Sequence, residues 1–118
     1  MAGQQALVVE DNYEIARLMK LILHELGVSA VVARDGEEAI HALHESPPDM
    51  VLLDLNIPKI SGVEVLRRIR SDERLAQIKV IVISANPHMV DESVDMADLV
   101  LQKPVSYSQV RDLVQRMI

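Results

Sequence analysis

The chain has 118 residues, a formal net charge of -6 and 49% hydrophobic residues, which together predict one compact domain over residues 1–118. The acidic excess argues against direct binding of nucleic acid, and the lack of cysteine excludes disulfides and thiolate metal sites. Because the amino terminus lacks a signal-peptide pattern and no segment reaches the roughly 20 apolar residues of a membrane span, we expect a cytoplasmic protein without membrane contact.

The first half of the sequence alternates short apolar runs with amphipathic segments. Residues 5–9 predict a strand, and residues 12–26 predict a helix. Residues 28–33 predict a second strand, and Asp35 is a typical cap for a helix that reaches about residue 44. Six apolar residues of the first helix are predicted to face the core: Ile15, Leu18, Met19, Ile22, Leu23 and Leu26.

A third strand and a third helix occupy the middle of the chain. Residues 50–53 are apolar and predict a strand that ends at Asp54. Ser61 and Glu64, three residues apart, predict a capping box that opens a helix to about residue 70. Four arginines in and after this helix predict a solvated face: Arg67, Arg68, Arg70 and Arg74.

The last third of the sequence predicts two further strands and two further helices. The strands are expected at residues 79–83 and 99–101, with a short helix at residues 90–96 between them. Ser106 and Gln109 predict a second capping box at the start of the final helix. Its inward face is expected to carry four apolar residues: Val110, Leu113, Val114 and Met117.

Strands and helices therefore alternate five times, and the central strands are apolar on both faces. Such strands are typical of a parallel sheet covered by helices on both sides. Right-handed crossovers then predict a doubly wound α/β fold. In these folds the ligand site lies beyond the carboxyl ends of the strands.

Polar residues follow four of the five predicted strands at that edge: Glu10 and Asp11, Asp54, Ser84, and Lys103. Three carboxylates repel each other unless a cation compensates them, and Mg²⁺ suits oxygen ligands while leaving room for phosphate oxygens. The Asp54 carboxylate could attack phosphorus, with Ser84 and Lys103 stabilising the phosphoryl oxygens. Each residue alone could be an ordinary cap or turn residue, so only their joint position favours this chemistry.

Four short motifs carry a resemblance to the receiver domain of two-component response regulators: VVEDN (8–12), LLDLNIPKISG (52–62), VISA (82–85) and QKPV (102–105). The resemblance covers nearly the whole chain, and it implies a five-stranded parallel sheet in the flavodoxin-like order 2-1-3-4-5. It implies that Asp54 takes a phosphoryl group from a histidine kinase or phosphotransfer protein and thereby switches an output partner. Ser84 and Lys103 would engage the phosphoryl oxygens. The chain would catalyse only its own phosphorylation and dephosphorylation, and would not be an enzyme with other substrates.

The same resemblance implies a set of metal ligands. Asp11 and Asp54 would hold Mg²⁺ together with the backbone carbonyl of Asn56, while Glu10 would act mainly through a metal-bound water. It also leads us to expect a cis peptide bond between Lys103 and Pro104.

Two departures from the family pattern keep alternatives open. Val100 stands where the family usually has an aromatic ring, and the segment between Ser84 and Lys103 is about one helical turn shorter, so we expect a short fourth helix. These features favour, as an alternative, an interaction module with weak or vestigial phosphorylation. A third interpretation is a phosphohydrolase of the haloacid-dehalogenase type, but such enzymes usually need a second acid where this chain has Asn56, two residues after Asp54.

Overall fold

Five strands alternate with five helices in the computed structural model, which describes residues 3–118. The strands are β1 (Gln5–Val9), β2 (Ser29–Ala33), β3 (Met50–Asp54), β4 (Lys79–Ser84) and β5 (Leu99–Gln102). The helices are α1 (Tyr13–Glu25), α2 (Gly36–Glu45), α3 (Gly62–Ser71), α4 (Pro87–Ser93) and α5 (Tyr107–Met117). All strand pairs are parallel and the order is β2-β1-β3-β4-β5, which confirms the predicted topology.

The sheet separates two apolar layers. Helices α1 and α5 cover one face, and α2 and α3 cover the other. Successive side chains of a strand point to opposite faces, so in β3 Leu52 enters one layer while Leu53 enters the other. Every residue of β3 is buried, as expected for a central strand with helices on both sides. Among residues 3–118 none of the helices combines the length and apolarity needed to span a bilayer.

Side-chain caps begin α2, α3 and α5 at the residues that the sequence predicted, Asp35, Ser61 and Ser106. Ser106 and Gln109 form the complete capping box of α5. For α3 only half of the predicted capping box is present. The Ser61 hydroxyl accepts from the Glu64 backbone N–H at 3.2 Å, but the Glu64 carboxylate does not accept from the Ser61 backbone N–H. It pairs instead with Arg68, four residues further along the helix, at 3.0 Å.

The prediction that Leu18 faces the core is wrong, because 42% of this residue is exposed. It lies on the outer side of α1 together with the exposed Tyr13 and Leu21. Apolar residues on both sides of a helix make its buried stripe hard to locate from spacing alone. The buried residues of α1 are Ala16, Met19, Ile22 and Leu23.

Helix α4 is short, as expected, but it begins and ends three residues before the predicted range 90–96. The Asn86 side chain caps it by accepting from the amides of His88 and Met89. Pro87 then occupies the first turn, where its fixed φ and missing N–H fit a helix start. The helix ends at Ser93. The sequence signal for this start was the Asn-Pro pair.

The prediction of a solvated arginine face holds for Arg67 and Arg68, whose side chains are about half exposed. It is wrong for Arg70, whose side chain is only 22% exposed. The Arg70 guanidinium donates to the backbone carbonyls of Ala76 and Ile78, which precede β4, and of Met96, which follows α4. The spacing of the arginines along α3 therefore did not predict that the Arg70 side chain is largely buried.

Replacing Gly62 with alanine should destabilise the fold strongly. A Cβ atom at Gly62 would lie 2.6 Å from the Asp54 carbonyl oxygen and would also meet the Leu55 Cα atom, both of them backbone atoms that cannot move aside. We expect Gly62→Ala to lower the free energy of unfolding by about 2 kcal/mol or more, measured by urea denaturation. The matched control is Gly27→Ala, where φ is 79° but no atom of residues 3–118 would lie within 4 Å of the added Cβ, so the cost should be about 1 kcal/mol. Equal losses in the two variants would contradict this account.

Candidate functional site

Strands β1, β3, β4 and β5 are neighbours, so the residues that follow them meet at one edge of the sheet. The parallel register aligns Val9 with Leu53, and Asp54 with Ile83. It also aligns Ser84 with Gln102, which precedes Lys103. The structure thus brings the predicted residues to one edge: Glu10, Asp11, Asp54, Ser84 and Lys103.

Three carboxylates form the acidic part of this edge. Glu10, Asp11 and Asp54 each offer an oxygen, and these three oxygens lie within 4.8 Å of one another. Glu10 and Asp54 are only 1% and 5% exposed, whereas Asp11 is exposed to solvent. Such a set of oxygen donors with one open side fits Mg²⁺, which takes a few carboxylates and keeps water in its remaining positions.

Lys103 contacts two of these carboxylates. Its Nζ atom donates to Asp54 Oδ2 at 3.0 Å and to Glu10 Oε1 at 3.2 Å. The Lys103 amide donates to the Ser84 carbonyl at 2.9 Å, which ties the end of β5 to the end of β4. The expected cis peptide bond between Lys103 and Pro104 is present.

The remaining oxygens of the two buried carboxylates accept from backbone amides. The Asn56 N–H donates to Asp54 Oδ1 at 3.0 Å, and the Asn12 N–H donates to Glu10 Oε2 at 3.1 Å. Both oxygens of each carboxylate are therefore engaged, and their orientation is set before any ligand arrives. The Asn56 backbone therefore lies directly beside Asp54. That the Asn56 carbonyl binds a metal ion stays a prediction.

Ser84 occupies the last position of β4 and is fully buried. It follows Ile83, the register partner of Asp54. Its hydroxyl oxygen accepts from the Asn86 N–H at 3.1 Å. In the described part of the chain, this hydroxyl makes no hydrogen bond to Asp54. The Ser84 hydroxyl therefore links the edge of the sheet that carries the acidic residues to Asn86, which caps α4.

The proximity of these charges alters their protonation. Burial is the main cause that raises the pKa of Glu10 to about 7; the neighbouring Asp54 carboxylate also raises it, while the Asn12 backbone N–H and the Lys103 charge lower it. Burial alone would lower the pKa of Lys103, but the hydrogen bond to Asp54 and the charges of Asp54 and Glu10 outweigh it, so the net shift is upward. Lys103 accordingly stays protonated beside the two carboxylates.

Sequence reasoning missed two residues that organise this edge. Asn12 was assigned to a helix start, yet its amide also holds Glu10. Asn86 received no role, although its side chain caps α4 and its amide contacts Ser84. Asn86 before Pro87 is a typical signal for the start of a helix. Its contact with Ser84 depends on a bend of the chain that no local sequence pattern predicts.

The family model of the response regulator receiver domain matches residues 6–115. Sporulation initiation phosphotransferase F of Bacillus subtilis is 27% identical over 119 residues, covering 100% of this chain and 96% of that protein. DNA-binding response regulator MtrA of Mycolicibacterium paratuberculosis is 33% identical over 104 residues, covering 86% of this chain but 45% of MtrA. The phosphorylated cyanobacterial phytochrome response regulator RcpA is similar in structure, with 34% identity, a TM-score of 0.84, and coverage of 98% of this chain and 91% of that chain.

Magnesium should stabilise the folded chain through the carboxylates. With Mg²⁺ at ten times its dissociation constant, we expect a gain of about 1.4 kcal/mol, seen as a rise of a few degrees in the thermal midpoint. Asp11→Asn should remove most of this rise, because it replaces the exposed carboxylate with a neutral amide, a weaker magnesium ligand, while leaving the buried carboxylates in place. Asp112→Asn, an exposed acid on α5, serves as the control and should respond as the wild type does. An equal rise in Asp11→Asn and in the control would show that magnesium binds elsewhere.

Proposed function

This chain belongs to the family of response regulator receiver domains of two-component systems, and we propose that it is a phosphorylation-dependent switch with Asp54 as its phosphoacceptor. One observation carries the proposal: a buried carboxylate, Asp54, contacts the Lys103 ammonium at 3.0 Å within a group of three acids that could share a metal ion. The proposed donor is the phosphohistidine of a sensor histidine kinase or phosphotransfer protein.

The transfer step uses a carboxylate that is already oriented. An oxygen of Asp54 attacks the phosphorus of the donor; an O–P bond forms while the P–N bond to the donor histidine breaks. The electron pair of the broken bond stays on the histidine nitrogen, which takes up a proton. Because the backbone N–H of Asn56 and the Lys103 ammonium each contact one oxygen of Asp54, this carboxylate needs little reorientation before the reaction.

Charge stabilisation comes from groups around Asp54. Phosphorylation adds about -1.5 to -2 charges at neutral pH, so the Lys103 ammonium gains a stronger partner in the phosphoryl oxygens. The Ser84 hydroxyl can donate a hydrogen bond to them, since in its present contact it acts only as an acceptor. When bound by Asp11, Asp54 and the Asn56 carbonyl, with Glu10 acting through water, Mg²⁺ would neutralise charge on the phosphoryl oxygens.

Return to the resting state needs only water as a second reactant. Attack of water on the phosphorus breaks the O–P bond and restores the Asp54 carboxylate with release of inorganic phosphate. We therefore propose no substrate other than the donor's phosphoryl group and no turnover beyond self-phosphorylation and self-dephosphorylation. A phosphohydrolase is less well supported, because the exposed side chain two residues after Asp54 is the amide of Asn56.

The relatives support this assignment. RcpA has been crystallised in phosphorylated form, and the Bacillus relative is named a phosphotransferase. MtrA is named as DNA-binding, but this chain spans less than half of MtrA, so we do not extend DNA binding to it. We propose a cytoplasmic location, as response regulators generally have.

One observation favours the alternative of an interaction module with weak or vestigial switching. Val100 is partly buried against the layer formed by α2 and α3, and an aliphatic side chain there cannot replace a mobile aromatic ring. Under that alternative the phosphate mimic beryllofluoride would change the amide spectrum only within the immediate pocket around Asp54.

Phosphoryl uptake tests the proposal directly. Incubation with acetyl phosphate and Mg²⁺ should add the mass of one phosphoryl group to the wild type, measured by intact-mass spectrometry. Asp54→Asn should take up none, because an amide is not a nucleophile for this step. Asp91→Asn, an exposed acid on α4, should behave as the wild type. No uptake by the wild type, or equal uptake by Asp54→Asn, would refute the proposal.

Removing the ammonium group should slow the reaction without abolishing the nucleophile. We expect Lys103→Met to reduce the rate of uptake from acetyl phosphate by at least about tenfold, because a preoriented cation beside the phosphoryl oxygens is lost. Lys59→Met is the matched control: Lys59 pairs with Asp35 and Glu37 at 3.5 and 3.3 Å and makes no ion pair with the three site acids. Its rate should stay near that of the wild type. Equal rates for Lys103→Met and the wild type would exclude Lys103 from charge stabilisation.

A further inference from the structure

Helix α4 depends on its two ends for its position. It has 7 residues, and a helix this short is unstable in water without tertiary contacts. Its contribution to the core is small: Ser93 is buried, and Met89 is only partly buried against the layer on the α3 side. Contacts at the helix ends are therefore decisive for where α4 lies.

The amino-terminal end of α4 is connected to the candidate site. The Asn86 side chain accepts from the amides of His88 and Met89 at 3.0 and 3.3 Å and so caps the helix. The backbone N–H of Asn86 donates to the buried Ser84 hydroxyl at 3.1 Å. A movement of this hydroxyl toward a phosphoryl group would change the hydrogen bond that positions the helix cap.

The carboxyl-terminal end of α4 is connected to Arg70. The amides of Met96 and Ala97 both donate to the Ser93 carbonyl, which closes a turn directly after the helix. The Met96 carbonyl in turn accepts from Arg70 Nε at 2.7 Å. Arg70 lies on α3, so this bond holds the end of one helix to another.

The same guanidinium also holds the segment between α3 and β4. Its Nη1 atom donates to the carbonyls of Ala76 and Ile78 at 2.9 and 2.6 Å, and its Nη2 atom donates to Asp98 Oδ2 at 2.9 Å. Hydrogen bonds from a charged donor are stronger than neutral ones, and partly buried carbonyls that lose their donor are costly. One side chain therefore joins three segments of the chain.

Asp98 anchors this arrangement to the sheet. Its Oδ2 atom accepts from the Val80 amide at 2.7 Å, while its own amide donates to the Val80 carbonyl at 2.9 Å. Val80 lies at the start of β4 and Ser84 at its end, about 13 Å apart at the usual rise per residue. The contacts of Arg70 and Asp98 therefore lie at the opposite end of β4 from the phosphoacceptor.

We propose that Arg70 is a positioning residue that holds the carboxyl-terminal end of α4 in place, so that phosphorylation of Asp54 moves chiefly the amino-terminal end of this helix. This inference rests on the proposed phosphoryl switch and states how that switch is transmitted. The path runs through Ser84 and Asn86 along the backbone, and it does not require an aromatic ring at Val100. The surface that changes is the amino-terminal turn of α4.

Amide chemical shifts with and without beryllofluoride and Mg²⁺ test this inference. In the wild type we expect large changes at residues 84–90 and small changes at residues 94–101. In Arg70→Met the changes at residues 94–101 should grow by at least about twofold, since the end of α4 is no longer held. Changes at residues 84–86 should stay as in the wild type, because the side chains of the site are untouched.

Arg68→Met is the matched control, since Arg68 lies on the same helix but, among the residues that the structure describes, its side chain pairs only with Glu64 on the exposed surface. It should reproduce the wild-type profile. If Arg70→Met does not fold, Arg70→Lys provides the same test, because it keeps a positive charge near Asp98 but lacks the Nε atom that donates to the Met96 carbonyl. An Arg70→Met or Arg70→Lys profile equal to that of the wild type would overturn the inference alone. Absence of any change at residues 54 and 84 in the wild type would instead refute the proposed function.

Discussion

The contact of one ammonium group with two buried carboxylates underlies the organisation of this molecule. Burial of Glu10 and Asp54 without a partner would cost several kcal/mol, since ionised groups lose their hydration. Lys103 compensates both charges, and the backbone amides of Asn12 and Asn56 occupy the remaining oxygens. The two buried carboxylates are therefore held in a fixed orientation and largely shielded from solvent before any ligand binds.

The parallel sheet makes this contact possible, because it aligns the ends of β1, β3 and β5 although their residues are far apart in sequence. Lys103 lies 93 positions after Glu10 and 49 after Asp54. The close approach of Gly62 to the Asp54 carbonyl shows that the start of α3 is packed against the same point. Stability and chemistry therefore depend on the same few backbone contacts at the carboxyl edge of the sheet.

The charged groups also suggest how a local reaction can have a distant effect. Under the proposed function, phosphorylation would change the charge at Asp54, and Ser84 is the neighbouring hydroxyl that contacts the residue capping α4. Strong hydrogen bonds from Arg70 hold the far end of that helix. A short helix with few buried residues, held differently at its two ends, is the element most easily moved by a small change at one of them.

The sequence alone determined the alternation of strands and helices and the polar residues at the carboxyl edge of the sheet, because residue periodicity, caps and strand ends are local properties. The expected sheet order came from the family resemblance and not from any local pattern. The sequence did not determine the outward position of Leu18, the bounds of α4, the half-formed cap of α3 or the buried environment of Arg70. These depend on which neighbours the folded chain supplies. Only the tertiary structure decided that Lys103 meets Glu10 and Asp54 together and that Arg70 reaches Met96, since both contacts join segments whose distance in space no local pattern encodes.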